Sequence, residues 1–143
     1  KLLISGEKAE AVETASRSGR SVEASELELL ARLVQAEAGG EPYQGQVAVA
    51  ATVLNRVDSS SYPNSITAVI YQVTDGHYQY SPVLDGRINI TAGDSARRAA
   101  AEAIDGADPT AGATGFYNPG KTSNQWVRSQ PVTTTIGNHV FFQ

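Results

Sequence analysis

Two stretches of apolar residues at helical spacing, parted by nothing but Gly39-Gly40-Glu41-Pro42, constrain this chain more than any other feature. The first carries Leu27, Leu30, Ala31, Val34 and Ala38 at i, i+3, i+4 intervals. The second runs from about Tyr43 to Val57, with Val47, Ala50, Ala51 and Leu54 on one face and Val49, Val53 and Val57 beside it. A helix apolar around most of its circumference must be central and buried. Ser25-Glu26-Leu27-Glu28 reads as a capping box, with Ser25 at the N-cap, so the folded domain is expected to start at residue 25. Glycine adopts the left-handed cap conformation without a Cβ clash, and proline suits a first helical turn. The expectation is a helical hairpin with a tight corner.

With 143 residues there is room for one domain of ordinary size. Residues 1–24 are polar and poor in large apolar side chains, and read as a linker or loosely attached segment; residues 25–143 read as the domain. Asn64 or Ser65 offers a cap for a short helix through Ile66, Val69 and Ile70, and residues 72–90 read as a long connection. A further helix is expected from Asp94 to Ile104, capped by Thr91 or Asp94 and stopped at Gly106. Residues 113–118 and 132–142 are rich in β-branched and aromatic side chains, and Gly137-Asn138 signals a hairpin. Helices first and strands late give an α+β fold, a helical N-terminal part followed by a small antiparallel sheet.

Composition removes several classes of function. A net charge of -4 without a basic stripe disfavours nucleic acid as a partner. No apolar run approaches the ~20 residues of a membrane span or the apolar region of a signal peptide. Cysteine is absent, which excludes disulfides, thiolate metal sites and a cysteine nucleophile. Methionine is absent too, and the chain reads as a processed form or an excised piece of a longer one.

Gly115-Phe116-Tyr117-Asn118-Pro119-Gly120-Lys121-Thr122 matches the phosphate-loop string, but that motif needs a buried strand before it and a helix N-terminus after it. Here a Gly- and Pro-containing loop precedes it and a poor helix former follows, so a polar turn is the better reading. There is no Gly-x-Ser-x-Gly elbow, and His77 and His139 lack the local spacing of a zinc site. His139 reads as a structural residue of a strand, and His77 as a loop residue.

Glu37 is different. At 100° per residue it falls between Leu30 and Leu33, at the edge of the apolar face. Partial burial at the negative end of a helix dipole, with no Lys or Arg in the following turn, should raise its pKa and leave it able to act as a general acid. Glu41, directly before Pro42, is accounted for as a carboxylate at a helix N-terminus. Tyr78, Tyr80, Tyr117 and Trp126, interleaved with Gln79, Ser81, Asn118, Asn124 and Gln125, suit a groove for a glycan, with rings that stack and amides that bond hydroxyl or acetamido groups.

The run from Ala36 to Arg56, with Glu37-Ala38-Gly39-Gly40-Glu41-Pro42-Tyr43 at its head, closely resembles the signature of the bacterial cell-wall hydrolases typified by the spore cortex-lytic enzyme SleB. The likeness continues through Tyr62-Pro63-Asn64, Val69-Ile70-Tyr71-Gln72, Tyr80-Ser81-Pro82-Val83, Gly86-Arg87-Ile88, Phe116-Tyr117-Asn118-Pro119 and Thr135 to Phe141, and it absorbs the phosphate-loop string. It implies a compact lysozyme-like domain acting on peptidoglycan, with Glu37 as the catalytic acid. Such enzymes cut between N-acetylmuramic acid and N-acetylglucosamine, on spore cortex as lytic transglycosylases, and need neither metal nor cofactor. Tyr80, Ser81, Tyr117, Asn118 and Trp126 are then the expected substrate-binding residues, in an exported monomer working in the cell wall or spore cortex. The rivals are a hydrolytic muramidase, with Asp75 or Asp85 as second carboxylate, and a non-catalytic wall-binding module.

Overall fold

A computed structural model of the chain describes residues 14–15 and 21–143. Most of the segment read as a linker lies outside the described residues. Within it, Thr14–Ala15 (β1) pairs antiparallel with Ser21–Val22 (β2), and Val22 is buried in the core. Helices α1 (Ala24–Ala38), α2 (Tyr43–Val57) and α3 (Ile66–Ile70) follow. Next come the two-residue strands β3 (Val73–Thr74) and β4 (His77–Tyr78), helix α4 (Ser81–Asp85), a 3-10 turn at Arg87–Asn89 and helix α5 (Asp94–Ile104). Strand β5 (Gly115–Tyr117), helix α6 (Gln125–Arg128) and strands β6 (Val132–Ile136) and β7 (His139–Phe142) complete the chain.

Helix α2 is the axis of the domain: Val47 through Leu54 are all buried. It packs most extensively on α5 and also touches α1, α3 and the sheet. Alanines on both sides, Ala48, Ala50 and Ala51 against Ala96, Ala99, Ala100 and Ala103, are all at most 1% exposed and let the α2 and α5 axes approach closely. Leu30, Leu33 and Val34 of α1 and Phe141 of β7 close the same core. Truncating a leucine such as Leu54 to alanine there should cost about 2–5 kcal/mol.

Three local expectations are corrected. The capping box at Ser25 does not form: Glu23 occupies the N-cap, without a side-chain bond. Glu28 instead faces Arg32 at 3.3 Å and Arg97 at 3.2 Å, pairing α1 with α5 across the surface. Gly39 is not left-handed but keeps helical angles, φ −59° and ψ −27°. Glycine is needed there for space, because a Cβ would overlap the Gln35 side chain. Gln35 Oε1 accepts the Gly93 N–H at 2.8 Å, which ties the last turn of α1 to the first of α5. Gly93, rather than Thr91 or Asp94, is the N-cap of α5.

The connection over 72–90 carries more structure than its composition announced. Asp75 and Gly76, with φ 53° and 79°, make the tight turn of the β3–β4 hairpin, the pattern of a type I′ turn. Ser65 caps α3 by accepting the Ala68 N–H. The C-terminal sheet has the order β5-β7-β6, all antiparallel, with Phe116 opposite Phe141 and Ile136 opposite His139. At its β6–β7 turn only Gly137 has positive φ, 57°, the pattern of a type II′ turn.

Candidate active site

The end of α1, the end of α2, the β3–β4 hairpin, α4 and the sheet with its β5–α6 loop enclose one cleft of about 700 Å³. Glu37, Tyr80, Ser81, Tyr117, Asn118 and Trp126 all line it, as do Tyr78, Gln79 and Asn124, whereas Gln125 does not.

Glu37 stands in the last turn of α1, half-buried, and makes no hydrogen bond among the described residues. Burial pushes its carboxyl above the ordinary glutamate range. Arg87 opposes that rise, Asp85 adds to it, and Lys121 opposes it. No lysine or arginine follows Glu37 in the next turn of the chain, so both cations arrive by folding. Arg87 comes from the 3-10 turn: its Nη1 donates to Ala36 O at 3.0 Å, satisfying a carbonyl at the end of α1. Its Nη2 donates to Ser81 Oγ at 3.2 Å, and its Nε to Asp85 at 3.0 Å. Asp85 approaches Glu37 as the sequence allowed, but its carboxylate is held by Arg87. Asp75 sits at the tip of the β3–β4 hairpin and does not line the cleft.

Glu41 lines the cleft and is fully occupied. Oε1 accepts the Asn138 N–H at 2.9 Å, and Oε2 accepts the Asn138 side-chain amide at 3.1 Å. The Asn138 backbone N–H holds its carboxyl below the ordinary range. Its role is to clamp the β6–β7 turn onto the corner between α1 and α2, a function that its position before Pro42 did not suggest.

The aromatic residues divide into two kinds. Trp126 is 64% exposed and rests edge-on against Phe142 at 6.1 Å, while Tyr117 lies half-buried against the same ring. Phe142 fits there because Gly115, opposite it in the sheet, has no side chain to displace its ring. Tyr80 is only 4% exposed and therefore offers no face for stacking. It forms part of the floor, packed on the Arg56 guanidinium at 5.4 Å. Burial raises the pKa of its hydroxyl, Arg56 opposes the rise and Glu37 adds to it.

Sequence reasoning missed Arg56 and His139 as cleft residues and Arg87 as a neighbour of Glu37. Arg56 is the single charged residue between Tyr43 and Val57, a signal that was available. His139 is buried in the cleft wall 5.0 Å from the Phe116 ring, and burial lowers its pKa. Its Nδ1 has no hydrogen-bond partner among the described residues. Among the described residues no group of three or more His, Cys, Asp or Glu gathers as a metal site, and no helix is long and apolar enough to cross a membrane. The phosphate-loop string forms β5 and a turn, with Lys121 and Thr122 on the cleft wall.

Residues 40–142 match the family model described as Cell Wall Hydrolase. The chain is 41% identical over 116 residues to the spore cortex-lytic enzyme of Halalkalibacterium halodurans, covering 81% of this chain and 34% of that protein. It is 40% identical over 116 residues to the spore cortex-lytic enzyme of Bacillus subtilis, covering 37% of that protein. The chain thus spans little more than a third of the length of these relatives. Among solved structures, the catalytic domain of the germination-specific lytic transglycosylase SleB from Bacillus anthracis superimposes with a TM-score of 0.78 at 38% identity, covering 85% of this chain and 97% of that one. The catalytic domain of Bacillus cereus SleB gives 0.74 at 40% identity, covering 82% and 89%.

Proposed function

Because the chain belongs to the cell wall hydrolase family, we propose that it cleaves peptidoglycan between N-acetylmuramic acid and N-acetylglucosamine as a lytic transglycosylase, with Glu37 as general acid and then base. The observation that carries this reading is the inequality of the carboxylates around the cleft. Glu37 is desolvated, raised in pKa and free of hydrogen bonds among the described residues, whereas Glu41 is bound to Asn138 and Asp85 to Arg87. One carboxyl is poised to give up a proton, and among the described residues no second one at the cleft is free of a hydrogen-bond partner, as a two-carboxylate glycosidase would require of its nucleophile or base.

A single acid suffices when the substrate supplies its own nucleophile. Glu37 protonates the glycosidic oxygen as an oxocarbenium-like state develops at the muramic acid C1. It then takes the proton from the muramic acid C6 hydroxyl as that oxygen closes a 1,6-anhydro ring. The bond to the leaving sugar breaks, the new C1–O6 bond forms, and the proton returns to Glu37. The exposed face of Trp126 and the half-buried Tyr117 offer stacking surfaces, Ser81 and Asn118 offer polar contacts, and Tyr80 shapes the floor.

Residues 25–143 form the catalytic unit in this reading, monomeric, with residues 1–24 as a linker or loosely attached segment. The names of the relatives favour an exported enzyme whose wall substrate is spore cortex during germination. The deciding experiment is digestion of cortex and vegetative sacculi with mass analysis of the muropeptides. Anhydro ends, one water lighter than reducing ends, are expected; reducing ends would assign a muramidase, and binding without release would assign a wall-binding module.

A further inference from the structure

Arg56, near the end of α2, is buried at 9% exposure and lines the cleft. Its Nε donates to Thr114 O at 2.5 Å and its Nη1 to Gln79 Oε1 at 3.3 Å. The guanidinium lies 4.7 Å from the Tyr62 ring centroid and 5.4 Å from that of Tyr80. Both oxygen partners are neutral, and no carboxylate lies within ion-pair distance of it among the described residues. Nη2 has no hydrogen-bond partner among the described residues, yet it is not among the enclosed, unsatisfied atoms, which leaves it open to solvent.

A strut between α2, the residue before β5 and the residue after β4 accounts for Nε and Nη1, and a cation is also favourable at a helix C-terminus. Neither explains a planar, charged fork with one edge left open, because burying an unpaired charge is costly unless a counter-charge arrives. Arg87, beside the cleft, pairs with Asp85 at 3.0 Å, and Lys121, on the cleft wall, is exposed and keeps its hydration. Arg56 is the buried cation of the cleft, and it has no carboxylate partner among the described residues. Arginine is the side chain suited to a carboxylate, which its fork binds in a fixed geometry.

We propose that Arg56 is a specificity residue that binds a substrate carboxylate, one carried by the stem peptide that is joined to the muramic acid lactyl group. This rests on the peptidoglycan reading above. The polymer is acidic along its length, but the site selects one carboxylate at a set distance from the bond facing Glu37.

The test uses the Glu37→Gln chain, so that glycan is bound without turnover, and measures co-sedimentation with purified sacculi. The sacculi are either intact or amidated at their carboxyls with carbodiimide and methylamine. Amidation is expected to weaken binding about tenfold, and adding Arg56→Gln should remove that difference while melting temperature confirms a folded chain. Sacculi stripped of stem peptides by an amidase expose a newly freed lactyl carboxylate in place of those of the stem; lost Arg56 dependence there is expected, and retained dependence would overturn the assignment to the stem peptide. Should Arg56→Gln not fold, the Arg56 Nε–H resonance of the otherwise unaltered chain reads the same point, shifting with an N-acetylmuramoyl dipeptide and not with its methyl ester. Equal binding to intact and amidated sacculi, an Arg56→Gln loss that is the same on both, or a resonance indifferent to the acid would overturn the proposal. Absence of glycan cleavage by the wild-type chain would sink the catalytic reading alone, because carboxylate-dependent binding is measured without turnover.

Discussion

Glu41 and Asn138 stand 97 residues apart in the chain, and the carboxylate of the first accepts both the backbone and the side-chain N–H of the second. The pair fastens the β6–β7 turn to the corner that ends α1. His139 follows Asn138 directly and forms part of the cleft wall, so the clamp fixes the sheet relative to Glu37. Gly137 is part of the device: its φ is 57°, and a Cβ there would overlap Glu41 Oε1.

Glu41→Gln should therefore lower stability modestly, by about 1 kcal/mol or less because the site is exposed, while leaving glycan cleavage within a few-fold of wild type. The pH dependence has a definite sign. The folded-state pKa of Glu41 is lowered by the Asn138 N–H, so its contribution is present above the ordinary glutamate range and is lost as pH falls through the lowered value. Melting curves of both chains should differ at pH 7 and converge in strong acid; a constant difference would mean that charge plays no part.

Glu37→Gln should abolish cleavage, by about a thousandfold or more, with the fold intact. Here the linkage runs the other way. Burial raises the folded-state pKa, so the stability linked to protonation is complete below the ordinary range and is lost as pH rises through the raised value. The glutamine chain should accordingly melt at or above the wild-type temperature at neutral pH. A lower melting temperature would show that the Glu37 carboxylate stabilises the fold instead of straining it.

Much of this was legible before the structure. The α2 boundaries, the burial of α2 all round, the α5 span and the C-terminal hairpin follow from periodicity and turn chemistry, which act over a few residues. Glu37 was legible because helical geometry alone places it at the edge of an apolar face. What stayed hidden arises from long-range partners. The capping box lost to Glu23, whose carbonyl begins the helix earlier, and Glu28 was drawn away by Arg97 from another helix. Gly39 marks close packing of Gln35 over the corner instead of a left-handed turn. Arg87 and Asp85, which bear on the Glu37 pKa from opposite sides, are some 50 residues away from it in sequence, and no local pattern announces them.

Those two residues predict opposite displacements of the pH–rate profile. In the proposed mechanism cleavage needs protonated Glu37, so activity should fall on the alkaline side as Glu37 ionises. Arg87 favours the ionised form; Arg87→Gln should raise the Glu37 pKa further and move the alkaline limb to higher pH. Asp85 disfavours it, and Asp85→Asn should move the limb to lower pH. Both variants disturb the contacts of Arg87 with Ala36 and Ser81, so rates can fall in both, but only an electrostatic role separates the limbs in opposite directions. Profiles shifted the same way would refute it.

Trp126 is the only tryptophan in the chain, and it lies on the cleft with most of its surface in water. Its ring is steadied edge-on by Phe142, which leaves a face available for the apolar side of a sugar. Two consequences follow. Intrinsic fluorescence of the Glu37→Gln chain should change on titration with soluble glycan fragments and saturate. Trp126→Ala should raise KM by about three- to tenfold, the factor expected for one lost stacking contact, with kcat much less affected because stacking holds the ground state and the transition state alike. Since little of Trp126 is buried, the melting temperature should barely move. A large fall in kcat at unchanged KM would instead give this residue a part in the chemistry and displace it from the binding surface.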